Sequence, residues 1–552
     1  MLDRLTAWGK TCGLKFNPEK SVAVLFTRRR KQPTKSLIID GKPIAFQQEV
    51  KYLGVTLDSK LHWTPHINEK INKAKRFISQ VAAITRNNWG PKPQLMRWAY
   101  LAIVRPMFCY ASMIWGHRAQ SLADKLRRIN RMAMNTFGSF PRSTPTSALE
   151  VMLDVMPLHL HCLREGLATR IRLDAALKLD WDGTNHNKTH ATSHLRFWKD
   201  RLEDCKISSD NTDGCTMVKW SAGFILNRDS FDGKAKHRTL TQYNVFTDGS
   251  RIADQTGAGY VICQGKDYVK EDFHRLPDHA TVFQAEISAV QAAADALLRL
   301  PNHQIRFVKI FIDSQAAIRA LGNPIIKSKT VAHAVESLNA LASVATRVSI
   351  VWIPAHKGHF GNTRADDLAK KGAESTNPLK LKQVAKPLAA IKSEILDHVF
   401  RVWSNEWSVS PLAQATKHFY FAPNKNKARY VYKLARLELG RFVRVISGHN
   451  NLNYFQTRIG LWGSRLCRFC EERDETFKHL LLDCPRFRQA RQDIFRDNLP
   501  CNDMTWSVRD IINFSYLPAI DSALVGTWAH GDPAGVDDLD SVTDDEPLPD
   551  DY

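Results

Sequence analysis

The chain has 552 residues and a formal net charge of +22, because 78 lysines and arginines outnumber 56 aspartates and glutamates. Its length predicts roughly three to four domains, and a hydrophobic content of 43% excludes a wholly disordered chain and permits sizeable cores. A globular body this basic most often meets polyanions, although a merely soluble basic surface is the alternative that composition leaves open.

Ten cysteines are scattered through the sequence, and only Cys467, Cys470 and Cys484 cluster. This usage is not that of a secreted disulfide framework and fits a reducing compartment. No apolar run reaches the roughly 18 residues of a membrane span, and the start of the chain lacks the pattern of a secretory signal. We therefore expect a soluble, intracellular protein without a membrane partner, and the pattern does not distinguish nucleus from cytoplasm.

The first 240 residues divide into three regions by pattern. Residues 1–66 combine strand-like runs with turn signals, which predicts a small α/β region. Residues 67–177 predict helices, because apolar residues recur at three- and four-residue spacing. Residues 178–240 are polar and predict a linker with short helices. One helix of the second region has a basic face, which suits either solvent or nucleic acid: Lys125, Arg127, Arg128 and Arg131.

Residues 241–375 form one unit by pattern, with three strands in an antiparallel meander followed by helix, strand, helix, strand and helix. This order predicts a mixed five-stranded sheet flanked by helices. Beyond it we expect a helical connector over 376–460, a cysteine-containing segment over 461–500 and a C-terminal region over 501–552. That region ends in a stretch with nine acids and no base, which predicts a disordered tail. The fold class is therefore multidomain, α/β plus α.

Two aspartates follow apolar strands directly. Asp248 ends the run that includes Val245 and Phe246, and Asp313 ends the run from Arg306 to Ile312. A strand–helix–strand connection crosses over right-handedly and makes its strands parallel. Both aspartates should therefore lie at carboxyl ends of strands, where open α/β sheets bind their ligands.

Helical periodicity places two further acids. Glu286 lies within the apolar face of its helix, where a carboxylate must be paired or bind a cation; the alternative is a side chain that reaches out to a lysine or arginine. Asp366 borders the inward stripe of the last helix, whereas Asp367 points into water. The alternative for Asp366 is a capping box that begins at Thr363.

Four converging carboxylates repel one another unless a cation neutralises them. Two Mg²⁺ ions about 3.5–4 Å apart supply that charge in enzymes that hydrolyse phosphodiesters, and hard oxygen ligands favour Mg²⁺ or Mn²⁺ over zinc. His356 lies on a glycine-flanked loop, where it would shuttle a proton or be a plain surface residue. We predict His356 as an assisting group and four acids as the catalytic metal ligands: Asp248, Glu286, Asp313 and Asp366.

This constellation resembles the type 1 ribonuclease H family. The matching motifs are Phe246-Thr247-Asp248-Gly249-Ser250, Gln284-Ala285-Glu286, Asp313-Ser314-Gln315, Trp352-Ile353-Pro354-Ala355-His356 and Gly361-Asn362 with Ala365-Asp366. Thr363 departs from the Glu usual after Gly-Asn, and Ala355 from a common Gly, but neither removes a metal ligand. The resemblance implies hydrolysis of the RNA strand of RNA:DNA hybrids, with nucleic-acid contacts at Gly249, Ser250, Gln284 and Ser314.

A second metal site is predicted near the C-terminus. Cys467 and Cys470 are followed by His479 and Cys484, which gives the ligand count and close pairing of a structural Zn²⁺ site. Incidental buried cysteines are the alternative. Phe469 would stack on a base or simply pack, and four basic residues around the cluster suit a phosphate partner: Arg465, Arg468, Arg473 and Lys478.

The order of these regions resembles the C-terminal half of polyproteins from Jockey-related non-LTR retrotransposons. Gly13-Leu14-Lys15-Phe16-Asn17 and Tyr52-Leu53-Gly54-Val55 resemble the end of a reverse transcriptase palm, and the helices through Pro157-Leu158 resemble the thumb and connection. The resemblance implies RNA:DNA hybrid and retroelement RNA as partners. The sequence has no Tyr- or Phe-x-Asp-Asp motif, and the paired polymerase aspartates would lie before Met1, so we do not expect polymerase chemistry.

Three functions compete on these patterns. The leading hypothesis is an endonuclease for the RNA strand of hybrids. Its rival is a catalytically silent nucleic-acid-binding remnant of a truncated retroelement, for which binding would depend steeply on salt without cleavage. DNA strand transfer ranks last, because it usually needs three acids at a different spacing. No pattern predicts the oligomeric state.

Overall fold

The computed structural model describes residues 2–27, 37–85, 89–116, 119, 122–177, 210–217, 224–230, 242–265, 267–300, 305–355, 357–496 and 506–525. The chain divides into two compact units. Unit 1 comprises 1–110, 118–161 and 402–552, and unit 2 comprises 111–117 and 162–401. In sequence, unit 2 is therefore inserted into unit 1.

The main sheet of unit 2 has six strands within the described residues. They are β1 (Phe224–Ser230), β2 (Tyr243–Ile252), β3 (Gln255–Gln264), β4 (Asp267–Leu276), β5 (Phe307–Ile312) and β6 (Arg347–Trp352). The order across the sheet is β1-β6-β5-β2-β3-β4. Strands β2, β3 and β4 form the antiparallel meander, whereas β5 runs parallel to β2 and β6. The predicted mixed sheet is thereby confirmed, and β1 adds a strand parallel to β6 at its edge.

The region predicted as a linker contains strands where we expected short helices. Besides β1, the strand Asn211–Met217 pairs antiparallel with Ile325–Ser328. Both partners lie more than 100 residues away in sequence, so no local hairpin turn indicates the pairing. The prediction of a linker with short helices missed these two strands.

Among the described residues, four helices cover the sheet: α1 (Val282–Leu298), α2 (Gln315–Leu321), α3 (Lys329–Val344) and α4 (Phe360–Glu374). Helix α1 begins with a capping box in which Thr281 and Gln284 each bond the other's backbone nitrogen. The core between the sheet, α1 and α3 consists of fully buried aliphatic side chains, among them Val245, Ile262, Ile287, Val290, Ile310, Leu338 and Ile350. Burial of these side chains fixes α1 against the strands that carry the candidate acids.

Helix α4 packs on the opposite face, where two glycines of β3 let it approach. A Cβ at Gly257 would lie 2.1 Å from the nitrogen of Ala373, and one at Gly259 would lie 2.5 Å from the nitrogen of Ala369. Any side chain at either position would push the helix away, because these contacts are with backbone. The Gly-x-Gly spacing on one face of β3 therefore sets the height of α4 above the sheet.

The segment after α4, which begins the region predicted as a helical connector, packs on unit 2. It contains a short 3-10 helix at Pro378–Lys380. Leu381 then forms a parallel bridge with Arg275 of β4, and Val384 packs against a small core that includes Ala285. The connector thus adds backbone pairing and apolar contact to unit 2.

The helix Ser112–Trp115 also lies in unit 2, and so does most of the helix Leu158–Leu177. The helix Leu388–Val409 begins in unit 2 and ends in unit 1. In the part of unit 1 that the structure describes, the strands form two hairpins, Leu37–Ile39 with Lys42–Ile44 and Glu49–Tyr52 with Val55–Asp58. Its helices are Leu2–Thr11, Thr64–Ala83, Pro93–Ala99, Tyr100–Val104, Arg105–Cys109, Ala123–Asn135, Thr146–Met152, Gln414–Lys417, Lys425–Val431, Arg436–Ser447, Asn453–Arg458, Phe477–Leu482, Arg488–Phe495, Val508–Ser515 and Pro518–Val525, with 3-10 turns at Pro18–Lys20 and Pro485–Phe487. None of the described helices is both long and apolar enough to cross a bilayer.

Distant parts of the chain build unit 1 together. The hydroxyl of Tyr432 donates to the carbonyl of Leu153 over 2.7 Å, and Arg436 donates to the carbonyl of Thr136 over 3.0 Å. Residues from the predicted thumb-like region and from the predicted connector therefore share one compact unit.

The basic helix face of unit 1 is partly engaged within the protein. Arg131 is buried and donates to the carbonyls of Pro141, Arg142 and Thr144. Arg127 lies 3.9 Å from the carboxylate of Glu150. Arg127 and Arg131 therefore interact within the protein and do not support the prediction of a nucleic-acid surface. Lys125 and Arg128 are exposed and still fit it.

Candidate active site and cysteine cluster

Three of the four predicted acids come together at the carboxyl end of the sheet. Asp248 lies in β2, Asp313 directly follows β5, and Glu286 lies in the second turn of α1. One carboxylate oxygen from each residue lies within 4.8 Å of the other two. The parallel pairing of β2 with β5 brings the two aspartates to the same edge, as the crossover argument predicts.

Burial and mutual repulsion hold protons on two of these carboxyls. Burial, followed by the neighbouring charges of Asp313 and Asp366, raises the pKa of Asp248 to about 8. Burial, followed by the charges of Asp248 and Asp313, raises the pKa of Glu286 to about 9. The backbone nitrogen of Gly249, which donates to Asp248 Oδ1 over 2.9 Å, opposes the first shift only in part. Such a cluster has an unmet demand for positive charge.

A divalent cation fits this donor set. The Oε2 atom of Glu286 is buried and has no hydrogen-bond partner among the described residues. Among the described residues no lysine or arginine pairs with this carboxylate, whereas a side chain that reaches one was the alternative that the sequence left open. Three carboxylates that converge, with one orphaned buried oxygen, are hard ligands of the type that Mg²⁺ and Mn²⁺ prefer.

Two residues that we did not predict as functional hold Asp313 in place. The indole nitrogen of Trp352, at the end of β6, donates to the carbonyl of Asp313 over 2.9 Å. The Asn362 amide donates to Asp313 Oδ2 over 3.3 Å, and its own Oδ1 is buried without a partner in the described structure. The i, i+4 spacing of Asn362 and Asp366 on α4 is the signal that would have placed Asn362 at the site.

Asp366 borders the carboxylate cluster without belonging to the three that converge most closely. It accepts a hydrogen bond from Lys370 Nζ over 2.8 Å, and its charge contributes to the raised pKa of Asp248. Helix α4 begins at Phe360, so Asp366 lies beyond the first turn, and the capping-box alternative is wrong. Asp367 is exposed, in agreement with the helical periodicity.

The four residues predicted to contact nucleic acid differ in their exposure and bonding. Gly249 and Ser250 are half-buried in β2 beside Asp248. The hydroxyl of Ser314 accepts from the nitrogen of Ala317 and caps α2. Gln284 is only 1% exposed, and its amide donates to Ala385 O and Thr330 Oγ1, so the prediction that it contacts nucleic acid is wrong. His356 lies outside the described residues.

The four predicted zinc ligands converge in unit 1. One ligand atom each from Cys467, Cys470, His479 and Cys484 lies within 4.8 Å of the others. Burial raises the pKa of the Cys467 thiol to about 12, and His479 Nδ1 is buried without a partner in the described residues. A largely buried Cys₃His set whose ligand atoms converge in this way fits Zn²⁺, which binds thiolates and imidazole in tetrahedral sites.

Contacts around the cysteine cluster show what Phe469 and one of the predicted phosphate-binding residues do in the structure. The ring of Phe469 meets that of Phe487 edge-on at 5.0 Å, so Phe469 packs inside the segment. Arg468 donates to the fully buried Glu475 over 2.9 Å. Arg491 braces the segment through bonds to the carbonyls of Leu480 and Cys484. Of the four basic residues predicted for phosphate, Arg468 thus has a structural role.

Part of unit 2 matches a known protein family. Residues 240–374 match the ribonuclease H (RNase H) family model. Among solved structures, the chain is similar to RNase H1 from Halobacterium salinarum, with 22% identity, a TM-score of 0.20, and coverage of 24% of this chain and 96% of that chain. The chain contains a ribonuclease H domain.

The wider resemblance is to retroelement proteins. A probable RNA-directed DNA polymerase from transposon BS of Drosophila melanogaster is 26% identical over 168 residues, 30% of this chain and 18% of the relative. The mobile element jockey polymerase of the same organism is 28% identical over 163 residues, 28% of this chain and 17% of the relative. A type-1 retrotransposable element R1 polyprotein of Nasonia vitripennis is 20% identical over 273 residues, which cover 46% of this chain and 73% of the relative. The chain is homologous to Jockey and R1 polyproteins and spans about a fifth of the two Drosophila relatives.

Proposed function

We propose that this chain is a metal-dependent endonuclease that hydrolyses the RNA strand of RNA:DNA hybrids within a retroelement protein. The observation that carries the proposal is the cluster of Asp248, Glu286 and Asp313, whose oxygens lie within 4.8 Å of one another. Two of these carboxyls have raised pKa values near 8 and 9. Displaced pKa values in a converging carboxylate set are typical of a site built for cations.

We assign each residue of the site a role according to its position. Asp248, Glu286 and Asp313 would hold Mg²⁺, with Mn²⁺ as the alternative, and Asp366 would complete a set for two ions. When bound, such ions neutralise the phosphate and activate water for in-line attack. Trp352 and Asn362 keep Asp313 oriented through the hydrogen bonds they donate. We assign proton transfer to His356.

Recognition of the substrate follows from the surroundings of Asp248. Gly249 and Ser250 follow Asp248 within β2, and Ser314 follows Asp313. We propose that these residues contact the RNA strand, whose 2′-hydroxyl would distinguish it from DNA. The exposed basic residues and the net charge of +22 suit the phosphates of a hybrid and of retroelement RNA. We also propose that Cys467, Cys470, His479 and Cys484 hold a structural Zn²⁺.

A cleavage assay on the full chain tests the proposal. Wild type should degrade the RNA of a labelled RNA:DNA hybrid in Mg²⁺ and leave single-stranded RNA intact. Asp248→Asn should lose at least about 100-fold of this rate, because removal of one ligand weakens the cation site. The matched control is Asp367→Asn, an exposed acid on α4, which should cleave like wild type.

Two outcomes would contradict the proposal. Equal rates for wild type and Asp248→Asn would exclude these carboxylates from the chemistry. Hybrid binding that weakens steeply with salt, without any cleavage by wild type, would favour the silent nucleic-acid-binding remnant.

A further inference from the structure

A buried aspartate ahead of the ribonuclease H domain joins three segments of unit 2. Asp210 is 9% exposed and directly precedes the strand Asn211–Met217. Its carboxylate accepts from the hydroxyl of Ser328 over 2.7 Å, and from the nitrogen and hydroxyl of Thr330 over 2.8 and 2.7 Å. Its carbonyl accepts from the nitrogen of Lys329 over 2.8 Å. Asp210 thus supplies a carboxylate from a distant segment to the N-terminus of α3, where negative charge is favoured.

The segment after the domain reaches the same point. The nitrogen of Asp210 donates to the carbonyl of Lys386 over 2.9 Å. The preceding carbonyl, of Ala385, accepts from the amide of Gln284 over 2.8 Å. The same amide donates to the hydroxyl of Thr330 over 3.3 Å, and that hydroxyl in turn donates to Asp210. We call this network of Asp210, Gln284, Thr330, Ala385 and Lys386 the clasp.

The clasp ends on the helix that carries a candidate metal ligand. Gln284 is two residues before Glu286 on α1, and residues two apart lie about 200° apart around a helix. Glu286 therefore faces the carboxylate cluster while Gln284 faces the clasp on the other side. The Gln284 side chain is fully engaged, because both amide hydrogens are donated and Oε1 accepts from the nitrogen of Thr281.

We propose that the clasp positions Glu286, with Asp210, Gln284 and Thr330 as positioning residues. The inference rests on the proposed function, because it assigns Glu286 to the cation site. The carboxylate of Glu286 accepts from the backbone nitrogen of Gly249, and its Oε2 has no partner within the described chain, so its placement depends on where α1 lies against β2. Residues that support metal ligands in this way change metal affinity about 10–100-fold when they are altered.

The clasp also extends the functional unit beyond the matched family region. Asp210 lies 30 residues before residue 240, and Ala385 and Lys386 lie more than ten residues after residue 374. The segments that flank the domain in sequence therefore act on it directly. A unit cut at the family boundaries would lose every clasp bond except that between Gln284 and Thr330.

Thr330→Val in the full chain tests the clasp. Valine keeps the shape and the backbone nitrogen but removes the hydroxyl that links Gln284 to Asp210. We expect Mg²⁺ binding without substrate, measured by calorimetry, to weaken about 10-fold. Hydrogen exchange of the 282–290 segment should accelerate, and the KM for hybrid should stay unchanged. Thr330→Ser restores the hydroxyl and should restore both measurements.

Matched variants keep the test decisive. Ser343→Ala removes an exposed hydroxyl from the other end of α3, where it donates to the carbonyl of Ala340, and should behave like wild type. If Thr330→Val unfolds at the assay temperature, Asp210→Asn replaces it, since the amide keeps the size and removes the charge.

The outcomes separate the clasp from the proposed function. Wild-type exchange and Mg²⁺ affinity in Thr330→Val would overturn the clasp, even if wild type cleaves hybrid. A wild type that neither binds Mg²⁺ nor cleaves would overturn the proposed function. In that case, unchanged exchange of the 282–290 segment in the variant would overturn the clasp as well, and accelerated exchange would support it.

Discussion

A Cβ at Gly249 would lie 2.5 Å from the backbone nitrogen of Glu286 and 2.9 Å from the carbonyl carbon of Ala285. Strand β2 and helix α1 therefore touch backbone to backbone, one residue beyond Asp248 and at Glu286 itself. Neither side of this contact is a flexible side chain that can move away. The closeness of the two acids is thus a property of the main chain.

Gly249→Ala should separate β2 from α1. The added methyl group has no space, so we expect a loss of about 1–3 kcal/mol in the free energy of unfolding, together with weaker Mg²⁺ binding. Urea unfolding and calorimetry measure the two effects. The control is Gly463→Ala, where a Cβ would meet no atom within 4 Å and should cost little. Equal stability of the two variants would refute the close contact.

Glu286→Gln should abolish the stabilisation of the folded protein by Mg²⁺. Because burial and the neighbouring acids raise the pKa of Glu286 to about 9, the residue is protonated at pH 7 in the absence of a cation. Glutamine mimics that neutral form, so the melting temperature in magnesium-free buffer should hardly change. Added Mg²⁺ should raise the melting temperature of wild type and leave that of the variant where it was.

The control for this experiment is Glu336→Gln, an exposed acid on α3. Its melting temperature should respond to Mg²⁺ as wild type does. A Glu286→Gln protein that Mg²⁺ still stabilises fully would remove Glu286 from the ligand set.

Stability without Mg²⁺ should fall as pH rises from 6 to 9. The folded pKa values of Asp248 and Glu286, about 8 and 9, exceed the unfolded values near 4, so the folded state binds more protons in this window. Stability then decreases with pH, because the folded state is the one that must lose protons. Mg²⁺ competes with the same protons, so its affinity should rise over this range. Melting curves at each pH with and without Mg²⁺ check both slopes, and a flat magnesium-free profile would contradict the raised values.

Cys484→Ser should remove zinc from unit 1. Cys484 is buried and belongs to the Cys₃His cluster, and loss of one thiolate weakens a four-ligand structural site severely. Metal analysis should find about one zinc per wild-type chain and almost none in the variant. Cys12→Ser changes an exposed cysteine outside the cluster and should retain the metal. Zinc-free wild-type protein that unfolds like the native protein would refute a structural role.

Local periodicity predicted those parts of the site that depend on one helix or one strand. Asp313 could be placed because an acid directly after an apolar strand marks its carboxyl end. Strand β2 continues past Asp248 to Ile252, but its parallel pairing with β5 ends at Thr247, which brings Asp248 to the same edge. Asp366 could be separated from Asp367 because 100° per residue divides inside from outside. The RNase H fold and the retroelement relationship are confirmed.

Contacts between distant segments could not be predicted in the same way. The error at Gln284 arose because its partners, Thr330 and Ala385, lie 46 and 101 residues away. The strand Asn211–Met217 was missed for the same reason, since it pairs with Ile325–Ser328. A single sequence carries no signal for such pairs, whereas the Gly-x-Gly of β3 was visible and could have indicated a closely packed helix.

The division of unit 1 along the chain sets an order for its synthesis. Residues up to 161 depend on partners after 402, such as Tyr432 for Leu153 and Arg436 for Thr136. A ribosome that adds about 5–20 residues per second needs roughly 12–50 seconds to make the intervening stretch. The ribonuclease H domain can therefore fold on the ribosome before residues 402–552 are made. During that time the helices of unit 1 before residue 161 lack their later partners and are accessible to chaperones.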